Sequence, residues 1–244
     1  MTEKMKYKID LHTHTIASGH AYCTLKEMAK YAAETGMDWL GFAEHGPAMP
    51  GSCHPLYFIN YHVIPDHLYG IRILKGAELN VLDYEGAIDL EERGLRQLDY
   101  AIASLHTKCI KAGTKLENTN ALLHAMENPF VNIIGHPDDG RYPLDYESLV
   151  KGAVSCGVLL EFNASSLDPE NARTNGPEND RLLLKTCEKY GAPILLGSDA
   201  HFEDMIGNFK EPCKVLKETG FPEELVMNDK PEKLKKYLNK WRKL

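Results

Sequence analysis

Seven short apolar runs recur along the chain, and each gives way to a polar residue with acid, base or metal chemistry. In order they read "YKIDLHTH", "WLGFAEH", "IRILKGAEL", "LDYAIASLH", "VNIIGH", "GVLLEFN" and "PILLGSDAH". The interval from His14 to His45 is 31 residues, then 33 to Glu78, 28 to His106, 30 to His136, 27 to Asn163 and 36 to Asp199. A strand, a helix and two loops take about 30 residues, so each interval reads as one βα unit. Runs that do not alternate apolar with polar suit strands buried on both faces, as in a parallel sheet. Helices are predicted at Leu25–Glu34, Thr119–Glu127, Tyr146–Ser155 and Glu178–Lys189, with an irregular stretch around Phe58–Tyr69. Gly36, Gly157 and Gly191 stand just beyond three of these, where a helix C-cap belongs. No Pro/Ser/Gly-rich linker interrupts the pattern, so residues 1–244 read as a single α/β domain of about seven units. Polar residues at every strand end favour a closed or nearly closed barrel, whose strand C-termini converge on one face.

That convergence has a chemical consequence. Residues i and i+2 of a strand point to the same side, so His12 and His14 are expected to face the barrel mouth together. His45, Glu78, His106, His136, Asp199 and His201 arrive at the same mouth from the other strands. A single strand-end histidine is more often a hydrogen-bonded structural residue than a ligand, but here seven segments agree. So many imidazoles and carboxylates in one place are strongly destabilising unless positive charge compensates them, which points to bound metal ions. A donor set of nitrogen and oxygen without thiolate suits zinc, iron or manganese.

Several function classes are disfavoured. A formal net charge of −7 argues against general affinity for nucleic acid. The start, "MTEKMKYKID", lacks the apolar region of a signal peptide, and no apolar run approaches a membrane span; a cytoplasmic protein is expected. The six cysteines form no C-x-x-C pair and read as reduced thiols. No phosphate-cradling P-loop is present.

The ordered segments "DLHTHTIASGH", "AEH", "GAELN", "SLH", "GHP" and "GSDAH" resemble the PHP family, named for polymerase and histidinol phosphatase. The length, the "GSDAH" segment and "EFNASS" are most similar to its small stand-alone phosphatase branch, typified by YcdX. The resemblance spans roughly His12 to His201. It implies a distorted (β/α)7 TIM-like barrel carrying three divalent metal ions, zinc first, with manganese or iron as alternatives. Carried over position by position, His12, His14, Glu78 and Asp199 would hold one ion. Glu78, His106 and His136 would hold a second, with Glu78 bridging, and His20, His45 and His201 a third. The implied activity is hydrolysis of phosphomonoesters of small molecules by metal-bound hydroxide, and the branch also implies a homotrimer. Alternatives are a phosphodiesterase or exonuclease, and a non-catalytic metal-binding module. An amidohydrolase also begins with H-x-H, but generally has a bridging lysine at a later strand end, and none ends a strand here.

Beyond the ligands, Arg141, Arg173 and Lys108 are candidates to bind substrate phosphate. Glu161 and Asn163 are candidates to orient ligands or water. His54 belongs to the loop "MPGSCHPLYF", which could overhang the site, while His62, His67 and His124 are expected on helices. A basic helix at about 229–243 is expected to dock Leu234, Tyr237, Leu238 and Trp241 on the barrel.

Overall fold

A computed structural model describes residues 6–242. Along the chain run β1 (Ile9–Thr13), α1 (Leu25–Thr35), β2 (Trp39–His45), α2 (Pro55–Ile59), β3 (His67–Leu68), β4 (Ile71–Asn80), α3 (Glu92–Leu95) and β5 (Tyr100–Ser104). There follow α4 (Lys115–Glu127), β6 (Ile133–Ile134), α5 (Tyr146–Cys156), β7 (Leu159–Asn163), α6 (Gly176–Tyr190), β8 (Ile194–Gly197), α7 (Lys210–Thr219) and α8 (Pro231–Leu234). Seven strands pair in parallel in the order β1-β2-β4-β5-β6-β7-β8, with helices outside them, giving the α/β, nearly closed barrel expected from the spacing. The helices start and stop where local chemistry says they should. Thr24/Glu27 and Thr114/Glu117 form reciprocal capping boxes on α1 and α4. Gly36, Gly157 and Gly191 end α1, α5 and α6 in the left-handed conformation.

Two expectations are corrected. His67 lies on a strand and not on a helix, because Tyr69 and Gly70, at φ 49° and 87°, make a two-residue turn that folds β3 back on β4. His62 sits in a 3-10 turn, and His124 on α4 as expected. The C-terminal segment is also not one continuous helix. After the single turn of α8 the backbone extends at Leu238 (ψ 141°) and closes in a 3-10 turn at Asn239–Trp241. The cause is a polar anchor: buried Asn239 donates to Phe130 O at 2.8 Å, while Asn132 donates to Asn239 Oδ1 and Tyr237 O. Residue 243 lies outside the described residues. The expected stripe nevertheless docks. Leu234 and Leu238 are buried against the barrel interior residues Leu74, Tyr100, Ile133 and Leu195, and Trp241 stacks on Trp39 at 5.4 Å.

The seam between β1 and β8 is closed by a backbone bridge at one end and by a side chain at the other. At the mouth, His14 N donates to Ala200 O at 2.8 Å. At the opposite end, buried Asn228 donates to both Ile9 O (2.8 Å) and Leu196 O (2.7 Å), and accepts from Leu196 N at 2.8 Å. One amide thus ties the two strands together at the end away from the mouth. Asn228→Ala leaves those three backbone groups without partners, and a buried unpaired group costs about 1–3 kcal/mol. The unfolding free energy in urea is expected to fall by roughly 3 kcal/mol, and a change below about 1 kcal/mol would mean the seam holds without the amide.

Candidate metal centre

The mouth is built from strand ends. A one-residue irregularity in β1, where Asp10 pairs with Leu40 but Thr13 with Phe42, changes the strand's alternation. Leu11 packs inside the barrel, and yet His12 and His14 both reach the mouth beyond it. His45 ends β2, Glu78 lies near the end of β4, and Glu161 and Asn163 end β7. His106, His136, Asp199 and His201 follow β5, β6 and β8 directly. His136 and Asp199 take positive φ, 29° and 56°, which for residues other than glycine is held only by surrounding contacts.

Glu78 is the hub. Its Oε1 lies 2.9 Å from His136 Nε2, 3.2 Å from His106 Nε2 and 3.5 Å from His12 Nε2. Its Oε2 lies 2.7 Å from His45 Nδ1 and 3.6 Å from His14 Nε2. Burial alone would raise its pKa, but the imidazoles of His106, His12 and His45 outweigh burial and hold the carboxyl well below the usual range. Asp199 Oδ1 approaches His14 Nε2 at 3.2 Å and His12 Nε2 at 3.6 Å. It too is held far down, with His12 and Arg173 overcoming burial. His20 stands at the exposed rim, its Nε2 3.3 Å from His45 Nε2. Burial and the neighbouring His45 and His201 push His14 well below, and His20 below, the ordinary histidine pKa.

All nine positions therefore meet at one mouth, although the closest groupings differ from those implied by the resemblance. They are His12/His14/Asp199, His14/His45/His201 and His45/Glu78/His106. Outer partners fix which nitrogen faces inward. His12 Nδ1 is 2.6 Å from Glu161 Oε1, His106 Nδ1 is 2.7 Å from Asn80 Oδ1, and His201 Nδ1 is 2.9 Å from Asp199 O. In each case Nδ1 is the nitrogen engaged outward, which leaves Nε2 facing the mouth. His12 Nε2 and His14 Nε2 are buried without a hydrogen-bond partner among the described residues, as are His45 Nδ1 and Glu78 Oε2, which lie close together but without the geometry of a hydrogen bond. Orphaned donor atoms clustered at one mouth, all nitrogen or oxygen, fit divalent metal ions.

Above the donors lies a cavity of about 360 Å³, whose walls include Met49, Pro50, Lys108, Arg141 and Arg173. The loop carrying His54 does overhang the site, but through Met49 and Pro50. His54 is exposed and instead caps α2, accepting from Leu56 N at 3.2 Å. Arg141 forks onto Asp139 through Nε and one terminal nitrogen, which leaves the other terminal nitrogen free. Lys108 is exposed and has no ion-pair partner among the described residues. Arg173 is more deeply engaged: it donates to Asp199 Oδ2 at 2.6 Å, Asn163 Oδ1 at 2.9 Å and Ser166 Oγ at 3.0 Å. Sequence reasoning missed Ser18, Glu44 and Asn80. The one available signal was an acid, Glu44, inside an otherwise apolar strand run.

A seven-stranded parallel barrel whose mouth gathers imidazole and carboxylate donors defines a class of βα-barrel proteins built around a metal-type centre. Residues 10–152 match the PHP domain family, and the chain belongs to that family. A probable phosphatase of Clostridium novyi is 47% identical over 98% of both chains, and one of Acetivibrio thermocellus is 43% identical over 97% of both. Among solved structures, the fold resembles histidinol phosphate phosphatase from Lactococcus lactis, complexed with zinc, L-histidinol and phosphate. That likeness has a TM-score of 0.59 at 19% identity and covers 88% of this chain and 95% of the other. A chain of an archaeal ribonuclease P structure with mature tRNA is also similar, with a TM-score of 0.58 at 17% identity, over 93% of this chain and 89% of that one. The barrel alone therefore does not set the chemistry.

Proposed function

We propose that the chain is a metal-dependent phosphatase acting on phosphomonoesters of small molecules, with divalent ions, zinc first, held by the clustered donors of the mouth. The observation that carries the reading is Glu78, buried among five imidazoles, with its Oε2 and a nitrogen on three of those rings left unsatisfied. The names of the close relatives support the reaction class. When bound, such ions supply positive charge against the phosphoryl oxygens and bring water acidity to about neutral pH. The protein's own groups do the rest. The free end of Arg141 and the Lys108 ammonium bind the phosphate, and Arg173 holds Asp199 in place while closing the wall beside it. Glu161 and Asn80 orient His12 and His106. Met49 and Pro50 narrow the entrance, and a cavity of about 360 Å³ suits a metabolite better than a polymer.

The test is hydrolysis of p-nitrophenyl phosphate by protein loaded with zinc, manganese or iron, beside bis(p-nitrophenyl) phosphate and a single-stranded oligonucleotide. Preferred cleavage of the monoester is expected. Preference for either diester would make the chain a phosphodiesterase, and no cleavage with any metal would make it a binding module. Arg141→Ala should raise KM about tenfold, the effect of about one charge-assisted hydrogen bond, with metal content unchanged. Unchanged KM would return Arg141 to the role of a loop residue anchored on Asp139.

Acid should abolish activity by removing metal. Ligating imidazoles must be neutral, and an ordinary histidine pKa is about 6.5, so bound zinc and turnover should rise together from about pH 5 to about pH 8. The carboxylates do not set this limb. With folded pKa values depressed, Glu78 and Asp199 contribute stability above the unfolded carboxylate range, and lose it only as pH falls through their folded values. Metal retained at pH 5 with turnover lost would place the acid limb elsewhere.

A further inference from the structure

His14 stands at the centre of the cluster, within reach of both Glu78 and Asp199, and its tautomer decides whether Nε2 can serve as a ligand. The residues that set that tautomer lie behind it. Ser18 Oγ has three polar neighbours: Glu44 Oε2 at 2.7 Å, His45 N at 3.1 Å and His14 Nδ1 at 3.0 Å. A hydroxyl has one hydrogen to give. The backbone N–H groups of His45 and Thr15 can only donate, so Glu44 Oε2, which takes the Thr15 N–H at 3.1 Å, is an acceptor. The Ser18 hydrogen therefore goes to Glu44, and the oxygen must accept from His14 Nδ1–H. Ser18, Glu44 and His14 are all fully buried, so no water competes for these bonds.

We infer that Glu44, which faces away from the mouth, acts through Ser18 as the positioning residue that fixes His14 in the Nδ1–H tautomer, keeping Nε2 free for an ion. The tautomer follows from the hydrogen-bond geometry alone; its consequence for metal binding rests on the metal-centred reading above. Glu44 itself is held from the other side, accepting from Thr15 Oγ1 at 2.6 Å on Oε1 and from Thr15 N at 3.1 Å on Oε2. This has a discriminating consequence. In Glu44→Gln, the atom that receives the Thr15 N–H must be the carbonyl oxygen, which is the same atom that receives the Ser18 hydrogen. The amide nitrogen then falls beside Thr15 Oγ1, which can rotate to accept. Glutamine therefore preserves the relay, whereas Glu44→Leu leaves the Ser18 hydroxyl free to turn and donate to His14 Nδ1. That turn moves the imidazole proton to Nε2 and blocks the lone pair. Ser18→Ala removes the acceptor for Nδ1–H with a smaller disturbance.

Long-range ¹H–¹⁵N correlation of histidine-labelled, metal-free protein at about pH 8 reads the tautomer directly, and a chelator-competition titration on the same variants reads zinc affinity. The expected results are Nδ1–H for His14 in the wild type and in Glu44→Gln, and loss of that preference in Ser18→Ala and Glu44→Leu. Zinc affinity should fall about 10- to 100-fold in the latter two and little in Glu44→Gln. Should Glu44→Leu fail to fold, Ser18→Ala against Glu44→Gln carries the comparison. An Nε2–H tautomer in the wild type, or an unchanged Nδ1–H tautomer in Ser18→Ala, overturns the inference. A wild type with the expected tautomer that binds no zinc would instead overturn the metal-centred reading and leave the tautomer assignment standing.

Discussion

Glu78→Gln is expected to lower kcat on a phosphomonoester by roughly a thousandfold or more, a larger loss than removal of any single rim histidine. The substitution keeps the size of the side chain and removes its charge. Five imidazole nitrogens lie within 3.6 Å of the two carboxylate oxygens, so no other residue at the mouth touches as many candidate ligands. The new amide N–H would also point at ring nitrogens whose lone pairs face inward, and would occupy them. His20→Ala provides the contrast, because His20 sits at the exposed rim against His45. Elemental analysis of Glu78→Gln should show depletion at the sites that share the carboxylate, with metal partly retained around His14, His45 and His201. Full metal content together with kcat within tenfold of wild type would remove Glu78 from the centre of the chemistry.

Chelation should soften the whole barrel as well as stop turnover. An ion that binds only the folded state stabilises it by about 4 kcal/mol when free metal is a thousand times Kd. For a chain of 244 residues that corresponds to a fall in Tm of about 10 °C on metal removal. The physical origin lies in the orphaned atoms of His12, His14, His45 and Glu78, desolvated in the folded state without a partner and solvated once unfolded. The melting temperature of chelated protein beside a zinc-reloaded sample measures the effect. Equal Tm values would mean that no ion compensates these groups.

The parts of this fold legible in the sequence are those with a period. Strand-plus-helix units announce themselves every 30 or so residues, and the polar residue closing each run marks the mouth. What the sequence hides depends on groups far apart along the chain. Nothing local to Asn228 says that its amide will span the seam between Ile9 and Leu196. The C-terminal helix was expected from a sound apolar spacing, but Asn239 finds Phe130 and Asn132 over a hundred residues away, and the chain extends to reach them. His12 and His14 both reach the mouth, but the register of β1 shifts between Asp10 and Thr13, so strand alternation alone does not account for their direction. Arg173 looked like a phosphate clamp in a long loop, and only the folded chain brings it onto Asp199.

The dependence of catalysis on metal at the mouth is tested most directly by titrating zinc into chelated protein, with bound metal and p-nitrophenyl phosphate turnover measured on the same samples. Turnover is expected to be absent without metal and to climb to a plateau as the donors of the mouth fill. Undiminished turnover in a sample verified to contain no metal would contradict it.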